Sequence, residues 1–129
     1  MSSSAARPRD GIASRSDRGR PPGRLTASEH YRLAYREGTR ISDGLLVIYA
    51  RPNGLPVRRL GIAVPGRVGT AVRRNLVKRR LRAVARAALA AVPEGTDVVI
   101  VARTAAAGAP FAALQDSVLA LFNRAAGAR

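Results

Sequence analysis

The sequence predicts a single-domain sandwich of mixed α and β structure, α+β or α/β, with helices packed on a small mixed sheet. Three observations predict it. The 129 residues are the length of one domain. Apolar residues recur every second residue in some segments and every three to four in others, giving the order helix, strand, strand, helix, strand, helix. Asp97-Val-Val-Ile-Val-Ala102 reads as a continuous apolar strand, of the kind buried on both faces of a sheet.

Each element has its own local signal. Residues 1–24 are rich in Ser, Arg, Gly and Pro and read as a disordered basic arm, since they cannot bury enough surface to offset their ordering entropy. The domain, residues 25–124, is expected to begin near Leu25. Thr26-Ala-Ser-Glu29 has the form of a capping box. The helix it opens runs to about Glu37 and stops at Gly38. A short extra strand fits Arg40–Ser42. The Asp43-Gly44 turn opens the strand Leu45–Ala50. Arg51–Pro56 is a loop with an Asn-Gly turn signal, and Arg59–Val64 is a second strand, expected to be the antiparallel partner of the first. Pro65-Gly66 ends it. The second helix starts near Thr70 and ends before Pro93-Glu94-Gly95. Gly108-Ala-Pro110 leads into a last helix with Phe111, Leu114, Val118, Leu121 and Phe122 on one side. Residues 125–129 are expected to form a frayed tail.

Composition narrows the function. The formal charge is +15, and hydrophobic residues make up 47% of the chain, so a basic protein with a real core needs a polyanionic partner or surface. The charge is concentrated: from Asp43 to Glu94 no acid intervenes, yet ten arginines and Lys78 do. The absence of cysteine removes disulfides and thiolate chemistry and suits a reducing compartment, so a cytoplasmic protein is expected. No apolar stretch is long enough to span a bilayer, and no membrane role is expected. The Arg and Ser content of the amino terminus has a transit-peptide flavour, but Asp10, Asp17 and several prolines oppose an amphipathic helix there.

Within Ala71–Arg86, Asn75, Lys78, Arg79, Arg82 and Arg86 stand at offsets 0, 3, 4, 7 and 11, which places them on one helix face. Val77, Leu81, Val84 and Ala88 take roughly the opposite face. An ordinary solvated face alternates acids with bases. This one has no acid over three turns, so RNA or DNA is the expected partner. The helix is preceded by Pro65-Gly-Arg-Val-Gly-Thr70, whose amides and Arg67 suit either a phosphate contact or a plain strand-to-helix turn. It is not a nucleotide-binding P-loop, because the Lys-Ser/Thr pair is missing.

Tyr31 and Tyr35 share a face of the first helix, and Tyr49 lies on one sheet face with Val47 and Leu45. They serve either as core or as a stacking platform for unpaired bases. His30 is the only histidine, and no motif places a carboxylate or thiol around it, so neither metal binding nor general-base chemistry is expected there. The eight acids are scattered. No catalytic residue and no protein-held metal is expected.

The string Leu60-Gly-Ile-Ala-Val-Pro-Gly-Arg-Val-Gly-Thr-Ala-Val-Arg-Arg-Asn-Leu-Val-Lys-Arg-Arg-Leu-Arg82 resembles the signature of the bacterial ribonuclease P protein subunit family. The likeness extends upstream through Arg24-Leu-Thr26, Tyr31, Tyr35 and Gly38-Thr39, and downstream through Asp97 to Arg103, covering roughly residues 24–124. It implies an α-β-β-β-α-β-α sandwich of the ribosomal-protein-like kind, with a mixed sheet and a left-handed β-α-β crossover. It implies binding of the catalytic ribonuclease P RNA, one protein copy per RNA, through Arg73, Arg74, Asn75, Lys78, Arg79 and Arg82. It also implies that Tyr31, Tyr35 and Tyr49 hold the single-stranded 5′ leader of precursor tRNA, while the RNA with Mg²⁺ cleaves the phosphodiester. Three positions depart from the family pattern. Leu76 and Gly66 stand where relatives are usually basic, and Leu46 stands where they are often aromatic, which predicts weaker leader stacking. The alternatives are a ribosomal or ribosome-assembly RNA-binding protein, a protein-only nuclease using Asp43 or Asp97, and, weakest, a helix-turn-helix DNA binder, which would need a helix where a strand pair precedes the basic helix.

Overall fold

The computed structural model describes residues 23–24 and 28–127. In chain order the elements are β1 (Gly23–Arg24), α1 (Ser28–Glu37), β2 (Thr39–Ser42), β3 (Leu46–Pro52), β4 (Arg59–Ala63), α2 (Ala71–Ala88), β5 (Thr96–Ala102) and α3 (Phe111–Gly127). Short 3₁₀ turns occupy Gly66–Val68, Leu89–Ala91 and Thr104–Gly108. The expected helices and strands are all present, including the short strand before Asp43. Most of the arm and the Thr26 cap lie outside the described residues.

Both domain boundaries move outward. Gly23 and Arg24, expected in the arm, pair in parallel with Arg59 and Leu60 of β4. The fraying expected from residue 125 is not found. Ala125 is buried and α3 runs on to Gly127, because Ala125 continues the apolar stripe one turn beyond Leu121.

The sheet order is β1-β4-β5-β3-β2. β5 is parallel to β4 and antiparallel to β3, so the expected β3–β4 hairpin does not form. A strand apolar on both faces has to sit inside the sheet, and β5 inserts between the two. The Asn53–Arg58 segment therefore bridges across the end of β5. Gly54 does take a left-handed conformation, φ +72°, but Asn53 is used differently from a hairpin residue. Its Nδ2 donates to Asp97 Oδ1 at 2.8 Å and to the Val57 carbonyl at 3.1 Å.

Strand alternation divides the side chains between two faces. Leu46, Ile48, Leu60, Ile62, Val98 and Ile100 pack with Val77, Leu81 and Val84 of α2 and Leu114, Val118, Leu121 and Phe122 of α3. The other face carries Tyr49, Val99 and Val101 against Tyr31 and Ala34 of α1. Leu45 joins the α2–α3 side, away from Tyr49.

Polar groups fasten the sheet at each end. Asp97 is 0% exposed. It accepts from Arg59 Nε on Oδ1 and Arg59 Nη2 on Oδ2, both at 2.8 Å. Arg51 approaches the same carboxylate at 4.0 Å and donates from Nε to Glu37 Oε1 at 3.2 Å, joining the end of α1 to β3. A buried carboxylate is tolerated only when paired and hydrogen-bonded in this way. At the opposite end Asp43 Oδ1 accepts from the amides of Leu45 at 2.8 Å and Leu46 at 2.9 Å, and Oδ2 accepts from Ser117 Oγ of α3.

Burial pushes the Asp43 carboxyl up, but the hydrogen bonds from Ser117, Leu46 and Leu45 and the charge of Arg103 outweigh it and hold the group below its ordinary value. A depressed carboxyl stabilises the fold above its unfolded-state pKa, and that contribution vanishes as pH falls through the folded value. Asp43→Asn is therefore expected to cost about 1–2 kcal/mol at pH 7 and distinctly less at pH 3, measured by urea unfolding. Equal losses at the two pH values would contradict the assignment.

Candidate nucleic-acid interface

α2 is an 18-residue helix whose N-cap, Thr70, accepts through its hydroxyl from the Arg73 amide at 3.3 Å. Its buried residues are Val77, Leu81, Val84, Ala85 and Ala88. At 100° per residue, Asn75, Lys78, Arg79, Arg82 and Arg86 fall within an arc of about 100° turned away from that core. Asn75, Arg79 and Arg86 are exposed, and Lys78 and Arg82 are half-buried. These five residues make one ridge along the helix, with Leu76 half-buried at its border.

The other expected RNA contacts leave this ridge. Arg74 turns back toward the helix start, where its Nε donates to the Gly69 carbonyl at 3.1 Å. Arg73 packs its stem against Gly69, where an added Cβ would lie 2.8 Å from the Arg73 Cδ. At 100° per residue Arg73 falls well off the arc, whereas Arg74, one turn before Lys78, stands just outside its edge with its guanidinium drawn back to Gly69. Arg67, in the 3₁₀ turn before α2, lines a depression on the α1 face of the sheet. Gly66 beside it is exposed.

That depression continues from a tyrosine cluster. The rings of Tyr31 and Tyr35 are 6.4 Å apart, and those of Tyr35 and Tyr49 are 5.0 Å apart at 73°, an edge-to-face geometry that aromatic pairs favour. Tyr31 lies directly over β4. An added Cβ at Gly61 would stand 2.7 Å from the Tyr31 hydroxyl oxygen and 2.8 Å from Cζ, so Gly61 is the vacancy that lets the ring rest on the strand. Tyr35 is 43% exposed. Burial, followed by the neighbouring Tyr31 and Tyr49, raises its hydroxyl above the ordinary value, so it stays a neutral hydrogen-bond donor at physiological pH.

Beyond Tyr49 the depression is lined by Arg40, Val47, Arg67, Val101 and Arg103. Arg40, Arg103 and Gly61 were not singled out from the sequence as binding residues. Leu46 is 0% exposed on the α2–α3 side. The inference that its lack of an aromatic ring weakens leader stacking is therefore wrong, because alternation turns residue 46 away from the face that holds Tyr49.

The acids do not converge here. Asp43 lies by the Leu46–Ala102 end of the β3–β5 ladder and Asp97 at its Arg51 end, so β5 separates them and each is engaged by its own donors. Among the described residues no three His, Cys, Asp or Glu side chains gather. A nuclease centre built on Asp43 and Asp97 has no structural basis. Among the described residues no helix is long and apolar enough to cross a membrane.

The protein-family model Ribonuclease P matches residues 21–126. The chain belongs to the ribonuclease P protein family. The ribonuclease P protein component of Clostridium acetobutylicum is 36% identical over 104 residues, covering 79% of this chain and 87% of that relative. The one from Clavibacter michiganensis is 43% identical over 79 residues, 60% of this chain and 69% of the relative. Among solved structures, the RNase P protein from Thermotoga maritima superposes with a TM-score of 0.71 at 30% identity, covering 78% of this chain and 96% of that one. The Staphylococcus aureus RNase P protein gives 0.72 at 25% identity, covering 79% and 94%. The ribonuclease P protein is thus a subunit of the tRNA-processing ribonuclease and works with an RNA subunit. A ribosomal role is not favoured.

The tight Gly61–Tyr31 contact has a measurable consequence. Gly61→Ala is expected to destabilise the protein by about 1–3 kcal/mol through overpacking, and by clearly less in a Tyr31→Leu background. A double-mutant cycle in urea checks this; additive losses would rule out the contact.

Proposed function

We propose that the α2 ridge docks on the catalytic ribonuclease P RNA while the cleft between α1 and the sheet receives the single-stranded 5′ leader of precursor tRNA. The observation that carries this reading is the separation of two surfaces on one sheet. The ridge rides on a helix packed against one face, and the tyrosines occupy the other. Arg67 stands on the turn between β4 and α2, so positive charge continues from the approach to the helix into the cleft.

The two surfaces suit two kinds of RNA. Asn75, Lys78, Arg79, Arg82 and Arg86 offer sequence-tolerant bonds to phosphates and 2′-hydroxyls of a folded RNA. Tyr35 and Tyr49 offer stacking worth about 1–3 kcal/mol per base, which tolerates varied leaders because every base has a π-face. Arg73 and Arg74 act at the helix start, with Arg74 anchored to Gly69 in place of a phosphate.

Mg²⁺ in this scheme would be held by the RNA and would supply charge neutralisation and activation of water there. The protein's own carboxylates do not suit that ion: Asp97 is saturated by Arg59 and Asn53, and Asp43 by two amides and Ser117. The protein binds, orients the leader and screens repulsion between the two RNAs, acting as one copy per RNA in the cytoplasm. Because screening substitutes for counterions, its benefit is largest where Mg²⁺ is scarce.

Reconstitution with a cognate catalytic RNA is expected to accelerate precursor-tRNA cleavage at low Mg²⁺ and to matter less as Mg²⁺ rises; absence of acceleration contradicts the proposal. In direct titrations against that RNA, Arg79→Ala is expected to lower the slope of log K against log salt by about 0.7–0.9. An unchanged slope removes Arg79 from the interface.

A further inference from the structure

Arg40 lies on β2, at the edge of the sheet. In the antiparallel register it stands directly opposite Tyr49 of β3, so the two side chains leave the same face with Cβ atoms about 4.5–5.5 Å apart. Both line the depression that also holds Val47, Val101, Arg67 and Arg103. Tyr35 packs against Tyr49 from α1 at 5.0 Å, so a base entering the depression meets Tyr49 on the side that Tyr35 leaves open. The Arg40 side chain is exposed, and its guanidinium makes no hydrogen bond or ion pair among the described residues.

The three arginines of the depression are not equivalent. Arg103 follows β5 and its charge acts on the Asp43 carboxylate. Arg67 belongs to the turn that leads into α2. Both suit a passing phosphate. Only Arg40 shares a ladder rung with an aromatic ring, which puts its planar fork beside the edge of any base stacked on that ring.

We propose that Arg40 is a specificity-determining residue that reads guanine in the leader. Its fork donates two N–H groups to O6 and N7 of a guanine stacked on Tyr49. Guanine alone presents two acceptors side by side on that edge; adenine pairs its N7 with an amino donor, which opposes the fork, and pyrimidines lack the pair. In a single strand the edge is open to the protein. Arg67 and Arg103 supply the sequence-independent charge that holds the backbone. This inference rests on the leader occupying the cleft.

The test is equilibrium binding by the holoenzyme, reconstituted with its catalytic RNA, to precursor tRNAs carrying each of the four bases in turn at successive leader positions. The wild type is expected to favour guanine over adenine about tenfold at one position. Arg40→Lys keeps the charge but loses the fork and is expected to bring the four bases at that position within about twofold of each other, with an unchanged melting temperature showing that it folds. Three results overturn the assignment: no position preferring guanine, a preference that survives Arg40→Lys, or an equal loss for all four bases, which makes Arg40 a phosphate contact only. Tyr49→Leu separates this failure from failure of the cleft reading. If it weakens every leader while no guanine preference exists, only the role of Arg40 falls; if it changes nothing, the cleft reading falls and the role of Arg40 with it.

Discussion

β5 has to be covered on both faces, and the way that requirement is met creates the depression proposed to receive the leader. Val98, Val99 and Ile100 are completely buried although they alternate between faces. On one side α2 and α3 cover the sheet fully. On the other, α1 is a single ten-residue helix and covers only part of it. The uncovered remainder, beside Tyr49 and Val101, is the depression. A second full-length helix there would complete an ordinary sandwich core and leave no room for a nucleic-acid strand.

The polar fastenings serve the same geometry. Asp97 is the only fully buried acid among the described residues, and Arg59, Asn53 and Arg51 converge on it. Through Arg51 the network reaches Glu37 at the end of α1. Gly38 reinforces the junction by close approach: an added Cβ there would lie 2.5 Å from the Ala34 carbonyl oxygen and 3.1 Å from that of Ala50. The end of α1 is therefore held against β3, and the tyrosines it carries are held over β4 and β3. Asp97 and Glu37 thus act as struts for the cleft, and the Asp97 carboxylate is fully engaged by its donors.

Much of this was legible in the sequence, for physical reasons that also mark where legibility stopped. Helical offsets fix direction around an axis, so the Asn75–Arg86 ridge could be drawn before any fold was known. The same rule puts Arg73 off the ridge but Arg74 at its edge beside Lys78; the bond that draws the Arg74 guanidinium back to Gly69 is not visible in helical offsets. That Tyr31 and Tyr35 share a face followed from their four-residue spacing. Strand pairing was not legible. Asn53-Gly54 has the chemistry of a tight hairpin, and only the need to bury β5 on both faces sends that loop across a third strand. The partnership of Arg40 with Tyr49 depends on ladder register, and the vacancy at Gly61 on where a helix 30 residues upstream is placed; neither leaves a local signature. Leu46 lies in the α2–α3 core because strand alternation sets the face it takes, which residue type alone does not reveal.

In the proposed arrangement one small protein presents two RNA-facing surfaces with different partners. Site-specific photocrosslinking tests it most directly, with a crosslinker placed at position 79 on α2 or at position 35 on α1 in the holoenzyme bound to precursor tRNA. Position 79 is expected to capture the catalytic RNA and position 35 the leader. Capture of the same RNA from both positions, or of the leader from position 79, would contradict this arrangement.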